Sequence, residues 1–322
     1  MNKTSLSKPV NNPHRWLAFK LTAVIMTLIC FIMSGCSTSA MTIAQRTEVL
    51  PVYTIAEIDG SLGAGETLNL VSINLAHGRK DSLNQWLVSA DKTRSNLDDI
   101  AAFLIRVNAD VVALQEADDS SAWSGGFDHV AYLAKKAGFH YYVYTEHAQI
   151  TMGNYGTAIM SRWPIEEAIG LTFADSPPTT NKGLTLAQIR WRNPDTQDMP
   201  QLIDIVSVHL DFSRKSVRRG QVDEMAELIT PRNNPLVIMG DFNSELLAKK
   251  YTVDSFAESS SMHVYDAENE DLNTYKDKRL DWILLSRDIE FNSYRTEAEV
   301  LSDHRAVVAN IKLSGSVGVE AQ

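Results

Sequence analysis

Cysteine is nearly absent. The 322-residue chain has two, Cys30 and Cys36, both near the N-terminus. Its body therefore holds no disulfide and no thiolate metal site. At this length a core of ordinary size needs no such staple. Positive charge is also scarce: 30 Lys and Arg stand against 40 Asp and Glu, a net charge of −10. Lys3, Lys8, Arg15 and Lys20 precede Cys36 with no acid among them, leaving −14 on the remainder. So acidic a body argues against non-specific electrostatic gripping of DNA or anionic membrane. A phosphate substrate stays open if a bound cation inverts the local field. No repeat, long linker or low-complexity segment is seen, and 44% hydrophobic with 22% charged residues is ordinary for a globular chain.

The apolar run Leu21 to Met33 falls short of the about 20 residues a spanning helix needs. With a basic, polar stretch before it and Ser34-Gly35 after it, it reads as an export signal. Ser34-Gly35-Cys36 resembles the bacterial lipoprotein box, although Met33 stands where leucine is usual. That resemblance implies a signal peptide over 1–35, cleavage before Cys36 and lipidation of its thiol. Ser37 follows, with no Asp there, which by the same resemblance implies the outer membrane of a bacterial cell envelope. The alternative leaves Cys36 incidental. Residues 36–66 read as a tether with a first weak strand, 67–314 as the catalytic domain, and 315–322 as a tail.

Leu68 to Ile73 alternates and is β-branched, so it predicts a strand. Further strands are predicted at Asp110–Leu114, Tyr155–Ser161, Leu184–Trp191, Leu202–Val208, Leu236–Met239, Trp282–Leu285 and Ala306–Ile311. Leu97, Ile100, Ala101 and Leu104 recur at helical spacing, and Val217 to Ile229 predicts a second helix. Many strands with a few helices imply one α/β sandwich domain.

Polar residues gather where these strands end: Asn74, Glu116, His209 with Asp211, Asp241 with Asn243, and Asp303-His304 before the last strand. Taken singly, each reads equally as a turn or a solvated loop acid. Together they supply hard oxygen ligands for Mg²⁺, donors for phosphate oxygens and a base for water, the requirements of metal-assisted phosphate chemistry.

Their order resembles the endonuclease/exonuclease/phosphatase family. The matching pieces are Ser-Ile-Asn-Leu at Asn74, Leu-Gln-Glu at Glu116, Val-His-Leu-Asp at His209, Gly-Asp-Phe-Asn at Asp241 and Ser-Asp-His-Arg at His304. Tyr155 to Arg162 and Arg279 to Ser286 add two weaker ones. The resemblance covers about Leu68 to Ile311. It implies a four-layer sandwich, two packed and mainly antiparallel sheets flanked by helices. It further implies Mg²⁺ (or Mn²⁺) on Glu116, helped by Asn74 and with Asp303 near, while Asp241 orients or deprotonates the attacking water. Asn243 would hold a phosphate oxygen. His304, oriented by Asp281, would face the phosphate, and His209 would donate to the phosphate or protonate the leaving oxygen.

Other residues read less sharply. Arg214, Lys215, Arg218 and Arg219 form a basic run that suits a phosphate rim or a solvated helix start; with Asp211 and Gln221 they echo an arrangement of bacterial members. His77 and Gly78 resemble an Asn-x-x-His-Gly variant of those members, which leaves His77 either a substrate contact or a loop histidine. Asn154 and Tyr155 are pocket-lining candidates. His129, His140, His147 and His263 read as surface or packing residues; Trp86 and Trp123 are the tryptophans best placed to meet substrate. The chain is expected to act as a monomeric phosphodiesterase, nuclease first, with phospholipid or sugar-phosphate ester as the alternative. A catalytically silent binding protein on the same fold is the reading from another class.

Overall fold

The computed structural model describes residues 41–55, 65–191, 200–245, 256–257 and 260–314. The expected signal peptide, Cys36 and the expected tail lie outside the described residues. Helix α1 (Ile43–Arg46), strands β1 (Thr47–Val49), β2 (Tyr53–Thr54) and β3 (Leu68–Asn74) and helix α2 (Ala90–Arg106) open the fold. Next come β4 (Val111–Asp119), α3 (His129–Ala137), β5 (Tyr141–Ile150), β6 (Gly153–Ser161), β7 (Ile165–Thr172), β8 (Gly183–Trp191) and β9 (Gln201–His209). Helix α4 (Lys215–Ile229) precedes β10 (Leu236–Asp241), β11 (Met262–Val264), β12 (Asp281–Ser286), β13 (Ile289–Thr296) and β14 (Val307–Leu313). Among the described residues no helix is long and apolar enough to cross a membrane.

The strands form two seven-stranded sheets, ordered β1-β7-β8-β9-β10-β12-β11 and β13-β14-β3-β4-β6-β5-β2. Each sheet has one parallel pair, β9 with β10 and β3 with β4, while the other pairs described are antiparallel. The alternation of strand side chains explains the layering. Leu70, Val111 and Ile159 face Ile205, Val237 and Met239 between the sheets. Their neighbours Val71 and Val112 turn outward onto Leu97, Ile100 and Leu104 of α2 and Leu133 of α3. On the far side, Val206 and Ile238 meet Val222, Met225 and Ile229 of α4. The four-layer sandwich expected from the sequence is the fold observed.

Three differences from the sequence reading share a cause. Strands β5, β7 and β13 were not predicted, and each contains a register shift, at Glu146/Ala148, Ile165/Glu167 and Phe291/Ser293. A bulge adds a residue and slips the period-two pattern that reveals a strand. The fourth shift, between Leu114 and Ala117, lies in β4. The sequence ended that strand at Leu114, whereas it runs on to Asp119. Helix α3 was missed as well; Asp128 caps it by accepting from Ala131 N–H at 2.9 Å, and Gly138 closes it with φ of 72°. The expected single weak strand before residue 67 is two, one on an edge of each sheet.

Candidate active site

One register row sets out half the site. His209 at the end of β9 pairs with Asp241 at the end of β10, and Asp241 pairs with Asp281 at the start of β12. On the other side of His209 stands Gly183, first residue of β8. Gly240 allows the row to close: its φ is 149°, and an added Cβ would lie 2.0 Å from the Val208 carbonyl oxygen. The second sheet contributes Asn74 from the end of β3 and Glu116 from the β4 bulge, where Glu116 takes a φ of 48°. Bulges re-aim a side chain, and this one departs from the regular strand at a metal-ligand candidate. Beneath the site the sheets are tied by buried hydrogen bonds: Gln115 Nε2 donates to Ser207 Oγ at 3.0 Å, and Ser207 Oγ donates to the Leu114 carbonyl at 2.9 Å.

Above this floor the groups converge on one atom, Asp241 Oδ2. Asn74 Nδ2 donates to it at 3.2 Å, His209 Nε2 lies 3.6 Å away and His304 Nε2 3.9 Å away. The other oxygen, Oδ1, accepts the Asn243 backbone N–H at 2.8 Å. Asp281, fully buried, accepts from His304 Nδ1 at 2.8 Å and so fixes that ring. Glu116 lies 3.9 Å from His209 Nε2 and 3.3 Å from His77 Nε2.

A scan of the chain against family models matches residues 71–304 to the endonuclease/exonuclease/phosphatase family. The chain belongs to this family. It is a phosphoester hydrolase. Two sphingomyelinases C of Bacillus cereus are similar to it, 24% and 25% identical over 280 and 290 residues. These matches cover 77% and 75% of this chain and 77% and 81% of the relatives. Among solved structures, a family member from Beutenbergia cavernae superposes with a TM-score of 0.60 at 16% identity, over 78% of this chain and 72% of that one.

Burial and charge drive this hydrolase's two imidazoles apart. His304 is pushed well above its ordinary value, because Asp281, Asp241 and Asp303 outweigh its desolvation. His209 is pushed well below, by burial and by the Lys182 ammonium, against the pull of Glu116. At neutral pH one ring is cationic and the other neutral. Burial also lifts Asp241, with help from Asp281 and Glu116 and opposition from His304, to about 7. Glu116 moves the other way. Its burial is overcome by His77, His209, Lys182 and His304, which hold it far below the carboxylate range.

Lys182 was missed by sequence reasoning. It is 5% exposed, its ammonium lies over the Tyr155 ring at 5.6 Å, and its charge is felt by Glu116, Asp241 and Asp211. Desolvation lowers its pKa, with those carboxylates opposing. The only local clue was a Lys-Gly step before a strand. Its place follows from the pairing of Gly183 with His209, which no local pattern shows. Tyr275, its ring centroid 4.8 Å from that of His304, was likewise not singled out.

The remaining candidates separate. Tyr155 is buried with its ring 4.8 Å from His77, and its hydroxyl meets Thr180. Asn154 stands before it at the start of β6, with its backbone bonded to Ser121. Asn243 spends one amide proton on the Leu210 carbonyl at 3.0 Å. Asp303 is paired with Arg79 at the edge of the site. Asp211 is fully buried and turned to the start of α4, accepting from Ser213 N–H, Arg214 N–H and Thr179 Oγ1. Arg214 and Arg218 bond the carbonyls of Ser176 and Asp211, whereas Arg219 is exposed. The basic run thus serves in part to close the loop before β8.

Asp241, Asp281 and His304 offer ligand atoms within 4.8 Å of one another and are one possible ion cage. Their mutual hydrogen bonding suits them better to orienting an imidazole. Glu116 and Asn74, whose amide oxygen accepts from Ala76 N–H at 2.9 Å, offer hard oxygens from the paired strands β4 and β3. That donor set fits a divalent cation.

Proposed function

We propose that the chain is a divalent-metal-dependent phosphodiesterase that hydrolyses a phospholipid headgroup at a membrane surface. The chemistry rests on the convergence at Asp241 Oδ2. A water bound there has a base whose basicity is lifted to about 7, suited to accepting its proton at neutral pH. A phosphate above it meets the His304 cation and the Lys182 ammonium, which stabilise the charge that attack builds on its oxygens. A divalent ion on Glu116 and Asn74 would polarise one of those oxygens. His209 stands neutral until an anionic diester offsets Lys182; it then takes a proton from solvent and passes it to the leaving oxygen, while the proton of the attacking water goes to Asp241.

The substrate side rests on the rim. Leu83, Trp86 and Leu87 are 92%, 57% and 70% exposed, three large apolar groups on one short turn. Trp86 packs edge-on against Trp123 at 6.3 Å, and Trp123 meets His77 at 5.3 Å, so the apolar turn leads into the cleft. Clustered exposed apolar groups mark interaction surfaces. They suit acyl chains better than a nucleic-acid backbone, and the similarity to sphingomyelinases supports the same choice. A neighbouring cleft of about 540 Å³, lined by Arg79, Tyr275, Lys276, Ser302, Asp303 and Arg305, is open to the polar remainder of the substrate.

The test is a release assay on sphingomyelin and phosphatidylcholine vesicles, plasmid DNA, RNA, sugar phosphates and soluble nitrophenyl phosphorylcholine. Vesicle turnover that needs Mg²⁺ or Mn²⁺ and stops with EDTA is expected. Replacing Leu83, Trp86 and Leu87 together with Ser should depress vesicle turnover and spare the soluble ester. Faster cleavage of DNA or RNA than of any lipid refutes the lipid reading, and full turnover in chelated protein refutes the metal reading.

A further inference from the structure

The sequence left His77 as a substrate contact or a loop histidine, and its surroundings give it another task. Ala76, His77 and Gly78 are successive left-handed residues, with φ of 46, 55 and 71°. Two of them carry a Cβ, and such strain persists only where the surroundings enforce it. Asn74 Oδ1 accepts Ala76 N–H, and Asn96 donates to the Gly78 carbonyl at 2.9 Å. The turn so held brings the His77 ring between two carboxylates. Nδ1 lies 2.7 Å from Asp118 Oδ1, and Asp118 Oδ2 accepts the Trp123 indole N–H at 2.8 Å. Asp118 is fully buried, so this acceptor is fixed and holds the proton on Nδ1. Nε2 then faces Glu116 Oε2, 3.3 Å away. So close an approach of a ring nitrogen to an anionic oxygen calls for a cation shared between them: a proton, which makes His77 one of the positive groups that hold Glu116 down, or a metal ion that displaces it. A carboxylate behind one ring nitrogen, with a second carboxylate converging on the other, is how proteins orient metal-bound imidazoles.

We propose that His77 Nε2 joins Glu116 as a ligand of the divalent ion and biases the site toward Mn²⁺ or Co²⁺ over Mg²⁺. The inference rests on the metal-dependent reading above and departs from the all-oxygen set the sequence suggested. Imidazole nitrogen favours transition metals, whereas Mg²⁺ prefers oxygen. Asp118 and Trp123 are then positioning residues that lock the ring.

Calorimetric titration of the full chain with Mg²⁺ alone and with Mn²⁺ alone tests the proposal, in the wild type and in His77→Asn, Asp118→Asn and Glu116→Gln. Asn is chosen because it tolerates the left-handed backbone at residue 77. His77→Asn should weaken Mn²⁺ binding about 10–100-fold and leave Mg²⁺ within about threefold; Asp118→Asn should do the same to a lesser degree. Pulsed electron paramagnetic resonance of the Mn²⁺ form should show a coupled nitrogen that His77→Asn removes. Equal weakening for both ions, or a nitrogen coupling that survives in His77→Asn, overturns the proposal. If Glu116→Gln changes neither affinity, the metal reading of the whole site fails with it. If Glu116→Gln abolishes binding while His77→Asn preserves the Mn²⁺:Mg²⁺ ratio, the assignment of His77 alone fails.

Discussion

Asp281→Asn isolates what a buried carboxylate does for the imidazole in front of it. In the wild type the Asp281 carboxylate accepts from His304 Nδ1 at 2.8 Å, and its Oδ1 has no hydrogen-bond partner among the described residues. An asparagine can keep its oxygen on Nδ1 only by burying an NH₂ with nothing to donate to, a cost of about 1–3 kcal/mol. Turned round, it points a donor at a donor. Losing the opposite charge should lower the His304 pKa by roughly 1–3 units. The folded-state pKa of His304 is raised, so its stabilisation is complete below about pH 6.5 and is lost as pH rises through the folded value. The variant should therefore melt lower by a margin that is largest in mild acid, about 1.4–4 kcal/mol from linkage alone, and that shrinks on the alkaline side. Activity should show the opposite emphasis. On the alkaline side the variant ring loses its proton before the wild-type ring does, so kcat/KM should fall there by up to about 10²–10³-fold. Toward pH 6 both rings are charged and the ratio should narrow. The measurement is kcat/KM of both proteins from pH 6 to 9 on one soluble diester. A wild-type-to-variant ratio that stays flat across that range refutes the reasoning.

The two histidines should part on leaving group: an activated nitrophenyl ester should partly rescue His209→Ala but not His304→Ala, and equal losses on both esters would remove the distinction. Lys182→Met should lower kcat about 10²–10³-fold. It should also let His209 titrate closer to its ordinary value, followed by NMR of the ring protons, because the ammonium helps hold that pKa down. Unchanged kcat would deny Lys182 a place near the phosphate. Gly240→Ala forces a Cβ onto the Val208 carbonyl and should cost about 1–3 kcal/mol in thermal melts, with kcat falling further than stability because Asp241 is next in the chain. Cys36→Ser should abolish fatty-acid labelling and leave a precursor of higher mass; a wild-type protein that takes up no label removes the lipid anchor.

Residues with local signatures were legible from the sequence, and those with none were not. Asn74, Glu116, His209 and Asp241 each stand where an apolar run stops and His304 just before one starts, so composition alone marks them as strand-end groups. Lys182 lacks such a mark, since a lysine before glycine is ordinary. It belongs to the site because β8 runs antiparallel to β9 in the register that sets Gly183 opposite His209. Asp118 hides for another reason. It lies in the part of β4 beyond the bulge, where the alternation has slipped and a buried acid looks like a loop residue. The same slippage concealed β5, β7 and β13. The fold class survived these omissions because the strands that were read include both parallel pairs.

Those parallel pairs have a consequence for folding. Hairpins such as β5–β6 and β13–β14 close between near neighbours in the chain. The pairs β3–β4 and β9–β10 require a long return through α2 and α4, and the Asn74–Asp241 bond joins residues 167 positions apart. Contacts of high sequence separation form late, after the loop-closure cost has been met. Asn74 and Glu116 come from one such pair and His209 and Asp241 from the other, so neither half carries the chemistry by itself. In refolding from denaturant, hydrolysis should return after the far-ultraviolet signal, and a partly folded chain that already meets its phosphoester substrate has no means of cutting it.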